Sequence, residues 1–544
     1  MQFDFISYDE LNLNKYDIKT PEIIQINKEK NILILDEKIL TLAIKMCFEK
    51  LSFYFTKKHI EKLICAILNK DASKNDRYVC ATLLKNAQIS SEYNLPICQD
   101  TGIANIFAWK DEGIIINGNE NKAITLAIAQ TYIEKKLRFS TTIPSSIFAE
   151  KNPKNNLPAN IAIFSTSSKN NSPTYKFLCC AKGGGSSNKT IFCQETKTIL
   201  NEKKLYNFLK QKINEIGTSA CPPYTIGVVI GGLSPEQNLF ALKLATCTGF
   251  DNEEKIERIN NSFSLNSNII RDLDWEKIVM EICEQTGFGA QFGGTRMALD
   301  AIVLRLPRHA ASCPISIGVS CSAHRNLEMY INEKGIYIEK TIQNLTKIKN
   351  FEKAISYAKK TNKNIITLDT NKGINKSLEI LSNIKCGQRI QINGKILVAR
   401  DAAHAKWKED FENGKSLPDY CKKFPICYAG PSQTPENYII GSFGPTTAER
   451  MDSYADFLMN QGASLITIAK GNRSKEFTNI CKKYGGIYLG IIGGAAALIA
   501  KKYITNVEII DFEELGMEAV RLLTVKNLPA FLLTDNKGND FYNI

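Results

Sequence analysis

The sequence predicts a mixed α/β protein with a larger N-terminal domain joined to a smaller C-terminal α/β domain. The chain has 544 residues, several times the roughly 150 residues of an average domain. Apolar residues make up 44% and charged residues 23%, the balance of a globular protein that buries large cores. Segments with apolar residues at helical spacing alternate with short strand-like apolar runs along the chain.

The N-terminal domain is predicted to cover residues 1–332. Residues 36–70 carry apolar side chains at helical spacing, and Ser73 to Lys85 continue that pattern. Strand-like runs follow at IANIFAW, ANIAIFST, YKFLCCAK and YTIGVVIGG. Helical segments lie between them, such as residues 123–139 and 195–217.

A connector and a second domain are predicted to follow. Residues 333–385 are highly charged and lack a glycine-rich motif, which indicates a connector. Residues 386–544 alternate strand-like and helical segments, as a compact α/β domain does. Asn393-Gly394 lies between alternating apolar runs, which predicts a hairpin turn.

Charge and terminal sequence narrow the functional class. The net charge of +13 comes from 69 Lys and Arg against 56 Asp and Glu. No arginine-rich tail, zinc finger or aromatic RNA-binding signature accompanies it, so we expect small anionic substrates and not nucleic acid. The acidic first twenty residues do not resemble a targeting peptide, and residues 485–500 are too short to span a membrane. The predicted compartment is the cytoplasm.

Cysteine and histidine usage indicates sulfur as the ligand of any metal. There are sixteen cysteines and only four histidines, and this scarcity of histidine disfavours zinc or non-haem iron centres built from several imidazoles. No C-x-x-C pair occurs, and most of the cysteines lie in apolar segments typical of core packing. Cys98, Cys221 and Cys321 differ, because each lies in a loop-like segment beside polar or turn-forming residues.

Two glycine-rich segments allow close approach of the backbone to another group. Residues 181–190 (AKGGGSSNKT) do not match the P-loop spacing, so a carboxylate nest is more plausible than a nucleotide site. A turn without a ligand explains the segment equally well. Residues 287–295 (GFGAQFGGT) are explained by backbone packing, and the Gly294-Thr295-Arg296 sequence suggests no function.

Cations follow strand-like segments of the second domain. Arg400 ends the run ILVAR, and Lys470 ends the run before GN. Arg450 lies near the start of a predicted helix that follows Thr446 and Thr447. The ends of strands in α/β domains build ligand crevices, although each cation alone is more typical of a solvated surface.

Six motifs in order resemble class I fumarate hydratase, the iron–sulfur fumarase, over nearly the whole chain. They are CQDTG, AKGGGSSNKT, ACPPYTIGVVIGG, LPRHAASCPISIGVSCSAHRN, GPTTAERMDSY and IAKGNRS. The resemblance implies a hydro-lyase that interconverts fumarate and (S)-malate in the tricarboxylic acid cycle, and a homodimer. It also implies one four-iron, four-sulfur cluster per subunit, held by Cys98, Cys221 and Cys321. Three ligands leave one iron open to act as a Lewis acid.

The resemblance also assigns roles around the substrate. It implies catalytic roles for Thr446, which matches the proposed base, and for Asp100 and His309. It implies contacts to the substrate and its two carboxylates from Gln99, Arg138, Gly183, Gly184, Arg400, Arg450 and Lys470. Cations around a dianion neutralise it and stabilise the charge that forms when a carbon-bound proton leaves.

Two alternatives remain open at this point. A related hydro-lyase for tartrate or mesaconate would need the same cations, and a cluster-based RNA-binding iron sensor would use the positive charge instead. The cationic set argues against the sensor. Glu449 departs from the small residue expected beside Arg450, where it either favours the helix N-terminus or weakens the contact of Arg450 with substrate.

Overall fold

The computed structural model describes residues 1–11, 13–16, 18–27, 30–167, 172–263, 268–359 and 365–543. It confirms the predicted mixed α/β class. The α-helices are Glu37–Phe53, Lys57–Leu68, Lys74–Ser90, Glu120–Glu134, Gly184–Ser187, Glu202–Ile216, Pro235–Ala245, Glu253–Phe263, Leu273–Gln285, Phe351–Lys359, Ile374–Ser382, Asp401–Glu412, Tyr420–Lys423, Asp452–Asn460, Lys475–Tyr484 and Ala496–Tyr503.

Two sheets form the N-terminal unit. The first has six strands, in the order Phe3–Ser7, Gly335–Glu339, Asn326–Asn332, Tyr175–Lys182, Ile103–Asp111 and Asn160–Thr166. The second has five strands, in the order Ile191–Glu195, Cys313–Ser320, Tyr224–Gly232, Ala298–Arg308 and Ile270–Arg271. A smaller sheet joins Glu22–Asn27, Lys30–Asp36 and Ile114–Asn117, and Ile143–Pro144 pairs with Glu150–Lys151.

The two N-terminal sheets face each other across a buried core. Phe107 and Leu178 of the first sheet and Val229 and Leu304 of the second belong to one apolar cluster, together with Leu242 of the helix Pro235–Ala245. The outer faces are covered by helices. Helix Glu37–Phe53 packs on the first sheet, and helices Glu202–Ile216 and Leu273–Gln285 pack on the second.

The C-terminal unit is built on a seven-stranded sheet. Its order is Ile366–Asp369, Arg389–Val398, Ile426–Cys427, Ile466–Ala469, Ile487–Gly490, Val520–Thr534 and Ile504–Asp511. Arg389–Val398 also pairs with Val520–Thr534, so the middle of the sheet closes on itself. Ala429–Pro431 and Phe443–Pro445 form a separate pair.

The helix ends follow local capping chemistry. Ser73 and Asp76 form a capping box at the start of Lys74–Ser90, which satisfies backbone N–H groups left free by the first turn. Ser474 caps Lys475–Tyr484, and Gly485 ends that helix in the left-handed region, at φ 76°. No helix within the described part of the chain is long and apolar enough to cross a membrane.

The structure divides the predicted connector of residues 333–385 between the two units. Gly335–Glu339 pairs on both sides within the first N-terminal sheet, whereas Ile366–Asp369 is an edge strand of the C-terminal sheet. The units also share a core, because helices Lys57–Leu68 and Lys74–Ser90 pack with the C-terminal sheet.

The predicted hairpin at Asn393-Gly394 is wrong. Arg389–Val398 is one strand, and its pairing with Val520–Thr534 is irregular between Ile392 and Gly394. Gly394 has φ +99°, so the glycine serves a bulge in the strand and not a reversal of the chain.

Candidate active site

Cys98, Cys221 and Cys321 come together from three separate loops. Cys221 precedes the strand Tyr224–Gly232, and Cys321 follows Cys313–Ser320. These strands are antiparallel with Thr225 opposite Ser320, so the two cysteines lie at the same end of the sheet. The N–H of Ser322 donates to the carbonyl oxygen of Cys221 at 3.0 Å.

Cys98 lies within electrostatic range of the other two thiols. Burial raises the pKa of Cys98 to about 12; the Arg325 guanidinium opposes this shift, whereas Cys321 and Cys221 add to it. Burial also raises the pKa of Cys221, although Lys470 opposes it. At Cys98 and Cys221 the neutral thiol is therefore favoured until a positive group such as a metal binds.

Beside the thiols lies a cavity of about 290 Å³. Most of the predicted substrate and catalytic residues line it, and they come from both units. They are Gln99, Asp100, Arg138, Gly184, Arg400, Thr446, Arg450 and Lys470. The glycine run and the strand-end cations thus line the same cavity, although they are far apart in sequence.

Asp100 is held as a carboxylate at the floor of the cavity. Its Oδ2 accepts a hydrogen bond from the N–H of Gly184 at 2.8 Å, and a Cβ on Gly183 would approach Oδ2 to 2.8 Å. Burial alone would raise the pKa of Asp100, but Arg138 and Arg325 bring it below its usual value. The glycine run therefore binds a carboxylate of the protein itself.

The arginines have free donors facing the cavity. Arg400 is 5% exposed, and neither its Nε nor its Nη1 has a hydrogen-bond partner among the described residues. Burial and the neighbouring Arg400 lower the pKa of Arg138, because the two positive charges repel each other. Buried donors without partners are costly, so this arrangement favours an anion.

Lys470 connects the cavity with the thiols, and Thr446 lines the cavity beside it. The Nζ of Lys470 lies 2.8 Å from the Sγ of Cys221. Burial would lower the pKa of Lys470, but Cys221 and the other two thiols raise it. The hydroxyl of Thr446 donates to the carbonyl oxygen of Tyr428 at 3.2 Å. Gln99 donates from Nε2 to the carbonyl oxygen of Pro445 at 3.1 Å, which joins the two units beside Thr446.

The structure does not place His309 in this cavity. His309 follows Arg308, which lies opposite Gly232 at the far end of the second sheet from Cys221 and Cys321. The seven steps along the strand from Thr225 to Gly232 span roughly 23 Å at about 3.3 Å per residue. His309 is exposed in a turn, where its Nδ1 accepts from the N–H of Ala311 at 3.2 Å.

Comparison with known proteins identifies the family. Residues 41–330 match the family model described as "Fumarate hydratase (Fumerase)", and residues 335–544 match "Fumarase C-terminus". The chain is 44% identical to "Fumarate hydratase 2" of Leishmania major, over 94% of this chain and 88% of the relative. It is 43% identical to "Fumarate hydratase class I, aerobic" of Escherichia coli strain K12, over 97% of this chain and 94% of the relative.

The chain belongs to the class I fumarate hydratase family. A further relative is "Putative L(+)-tartrate dehydratase subunit beta" of Methanocaldococcus jannaschii, which is 37% identical over 30% of this chain and 85% of the relative. The match to the fumarate hydratases is therefore much more extensive than the match to this protein.

Sequence reasoning misses two residues at the site of this fumarate hydratase family member: Arg325, near Cys98 and Asp100, and Glu518, in the lining of the cavity. Arg325 is 4% exposed with its Nε unpartnered among the described residues, and it influences both Cys98 and Asp100. Its place four residues after Cys321 is the only signal for it. Glu518 lines the cavity and pairs with Nη2 of Arg400 at 3.2 Å; no motif surrounds it.

Glu449 does not pair with Arg450 in the structure. Glu449 lies 3.7 Å from Nζ of Lys189, and Arg450 lies 3.7 Å from the carboxylate of Asp401. Glu449, which departs from the expected pattern, thus pairs with Lys189, and Arg450 still lines the cavity.

The three cysteines supply the donor type that an iron–sulfur cluster requires, because such clusters are bound through thiolates. Among the described residues, no three His, Cys, Asp or Glu side chains are arranged to hold one metal ion. Three facing thiols beside Lys470 and Arg325 match the charge of such a group, so the donor set fits the cluster implied by the family.

Proposed function

We propose that the protein catalyses the reversible hydration of fumarate to (S)-malate. The observation that carries the proposal is the cavity in which Arg138, Arg400, Arg450 and Lys470 converge. It lies beside the three cysteines, with Lys470 in contact with Cys221. A dicarboxylate of four carbons suits both the charge and the volume of this space. Membership of the class I fumarate hydratase family supports the same reaction.

In this proposal Cys98, Cys221 and Cys321 hold a four-iron, four-sulfur cluster. When bound, the cluster supplies a Lewis-acidic iron, because three thiolates leave one of its four irons without a protein ligand. Lys470 lies against Cys221 and lines the cavity, so its positive charge acts on both the thiolates and the substrate.

The arginines bind and orient the two carboxylates. The unpartnered Nε and Nη1 of Arg400 supply donors for one carboxylate. Arg138, which shares the cavity, is positioned to neutralise the other. Charge-assisted bonds of this kind are stronger than neutral ones and fix the geometry of the ligand. The carbon that loses its proton is then held beside Thr446.

Proton transfer is assigned to Thr446 and Asp100. In the resting site the Thr446 hydroxyl donates to the carbonyl oxygen of Tyr428. A neutral hydroxyl is a weak base, so Thr446 accepts the proton from carbon only as its own hydroxyl proton passes to the Asp100 carboxylate. The cations Lys470 and Arg450, which line the same cavity, favour loss of that hydroxyl proton and stabilise the negative charge left on the substrate. Asp100, kept ionised by Arg138 and Arg325, is the second proton acceptor. His309 of the same chain has no role in this proposal.

A second candidate is hydration of a related diacid. The similarity to a putative tartrate dehydratase subunit favours this alternative, since the cations would serve tartrate or mesaconate equally. Anaerobic kinetics of cluster-reconstituted protein with fumarate, mesaconate and tartrate tests the choice. The proposal predicts the highest kcat/KM with fumarate; a higher value with either other diacid would reverse the assignment.

Compartment and assembly complete the proposal. Thiolate ligands require a reducing environment, which the cytoplasm provides, and the family resemblance suggests a homodimer. Size-exclusion chromatography with light scattering tests the assembly, and a monomer would contradict it.

A further inference from the structure

The segment GFGAQFGGT contains a strained and buried glutamine. Gln291 is 3% exposed, and its backbone φ is +89°. A residue with a side chain pays roughly 1–3 kcal/mol to adopt such a conformation, and it does so only where surrounding contacts hold it. The substrate cavity does not include Gln291, so its role lies elsewhere.

The carboxamide of Gln291 joins the two units. Its Nε2 donates to the carbonyl oxygen of Pro222 and to that of Gly493, each at 2.9 Å. Its Oε1 accepts from the N–H of Gly493 at 2.8 Å. One side chain thus satisfies both backbone groups of Gly493 and the carbonyl of Pro222.

Both hydrogen-bond partners of Gln291 lie next to Cys221. Pro222 follows Cys221 directly in the sequence. Gly493 approaches it through space, because a Cβ on Gly493 would lie 2.3 Å from the Sγ of Cys221 and 3.0 Å from Cδ of Lys470. The position of this thiol therefore depends on how far apart Pro222 and Gly493 are held.

The loop that carries Gln291 is fixed to the start of helix Lys74–Ser90. The carboxylate of Asp76, which is fully buried, accepts from the N–H of Ala290 at 2.7 Å and from that of Thr295 at 2.9 Å. Side chains on Gly289 and Gly294 would collide with this carboxylate, at 2.5 and 2.0 Å. The glycines of the segment therefore permit the approach that positions Gln291.

We propose that Gln291 is a positioning residue for Cys221. Its carboxamide clamps the Pro222 backbone of the N-terminal unit to the Gly493 backbone of the C-terminal unit, and this clamp sets the place of the Cys221 thiol beside Lys470. The inference rests on the proposed function for the importance of Cys221 as a ligand, but the contacts that define the clamp are independent of it.

The test compares variants of the full chain by thiol reactivity and by iron release. Gln291→Met preserves the size of the side chain and removes all three hydrogen bonds. Tyr542→Phe is milder, because it removes only the bond from the tyrosine hydroxyl to the carbonyl oxygen of Gln291. Gln285→Met is the matched control: Gln285 is exposed and bonds Tyr206 at 3.0 Å.

Before reconstitution, alkylation of Cys221 by iodoacetamide is followed by peptide mass spectrometry, with the buried Cys427 as internal reference. After anaerobic reconstitution, iron release to a chelator and the electron paramagnetic resonance spectrum of the reduced protein are recorded. We expect Gln291→Met to raise the rate of Cys221 alkylation and the rate of iron release roughly tenfold, as loss of a supporting contact does at metal sites. We also expect it to alter the electron paramagnetic resonance spectrum. Tyr542→Phe is expected to give a smaller change in the same direction, and Gln285→Met none.

Two results would overturn the inference. The first is that folded Gln291→Met protein shows the same rates of Cys221 alkylation and iron release as wild type. If Gln291→Met does not fold, the same finding for folded Tyr542→Phe protein overturns the inference. The second is that alkylation of Cys221 and of Cys427 is accelerated equally, which indicates that the whole protein is destabilised. If Cys221→Ser retains iron and activity, the proposed function fails separately, whatever the alkylation rates show.

Discussion

At the scale of single residues, Arg400 offers the most direct control of substrate affinity. Its guanidinium is buried with two donors unpartnered among the described residues, and lysine cannot reproduce a planar pair of donors. We expect Arg400→Lys to raise KM for fumarate by roughly 10- to 100-fold, the worth of one or two charged hydrogen bonds. Steady-state kinetics of reconstituted protein measures this.

Arg389→Lys is the control for that experiment. Arg389 begins the strand Arg389–Val398 and stacks on Tyr78 at 4.1 Å, whereas Arg400 follows the other end of the same strand. An unchanged KM in Arg400→Lys would remove this arginine from the substrate site.

Thr446 and Thr447 form a matched pair for testing proton transfer. Both line the cavity, but the hydroxyl of Thr447 donates to the carbonyl oxygen of Ser219 at 3.4 Å. If Thr446 takes the proton, Thr446→Val lowers kcat by about 10²- to 10⁴-fold, the range for loss of a general base, with a smaller change in KM. Thr447→Val should retain most of the activity. Equal losses in the two variants would reject the assignment.

At the scale of elements, Gly394 shows why a local turn signal can mislead. The Asn-Gly pair favours positive φ, and Gly394 does adopt it, yet the flanking residues pair with Val520–Thr534 instead of with each other. A Cβ on Gly394 would lie 2.6 Å from Oγ1 of Thr370. Long-range strand pairing decided the structure, and no short window of sequence contains that information.

Gly394→Ala is therefore expected to destabilise the C-terminal unit more than Gly414→Ala does. Both glycines have positive φ, but a Cβ on Gly414 meets nothing within 4 Å. Strain alone costs on the order of 1 kcal/mol, and the collision adds to it at Gly394. Thermal unfolding compares the two variants, and equal melting temperatures would show that the strand moves to admit the methyl group.

The strand Gly335–Glu339 carries a pH-dependent stability contribution. Burial raises the pKa of Glu339 to about 7, from an ordinary value of 4.5, with Glu328 and Asp251 adding to the shift. The folded state thus binds a proton that the unfolded state releases. This contribution is fully present below pH 4.5 and is lost as the pH rises to about 7.

The substitution Glu339→Gln should remove this loss of stability at high pH. We expect the variant to melt at a higher temperature than wild type at pH 8 and to show little difference near pH 4.5, whereas exposed Glu436→Gln should match wild type at both. A melting temperature for Glu339→Gln at pH 8 below that of wild type would contradict the prediction.

At the scale of the whole molecule, motif order predicted the site better than local patterns predicted its surroundings. Asp100, Arg450 and Lys470, which belong to three separate motifs, do line one cavity. The place of His309 could not be foreseen, because it depends on which end of the sheet a strand reaches. Glu518 was missed because its proximity to Arg400 arises only from the packing of the C-terminal unit.

The shared core also explains why domain boundaries were hard to read. Helices of the N-terminal unit pack into the core of the C-terminal sheet, and the predicted connector contributes strands to both units. A high content of charged residues indicates exposed surface, but it does not indicate which sheet a strand joins.

The most direct test of the central claim measures iron and fumarate turnover together in cysteine variants. Cys98→Ser, Cys221→Ser and Cys321→Ser are reconstituted anaerobically beside wild type and Cys427→Ser, a buried cysteine in the strand Ile426–Cys427. The account predicts that wild type and Cys427→Ser bind four irons per chain and consume fumarate, and that the other three lose both. Full iron content and activity in all three variants would contradict it.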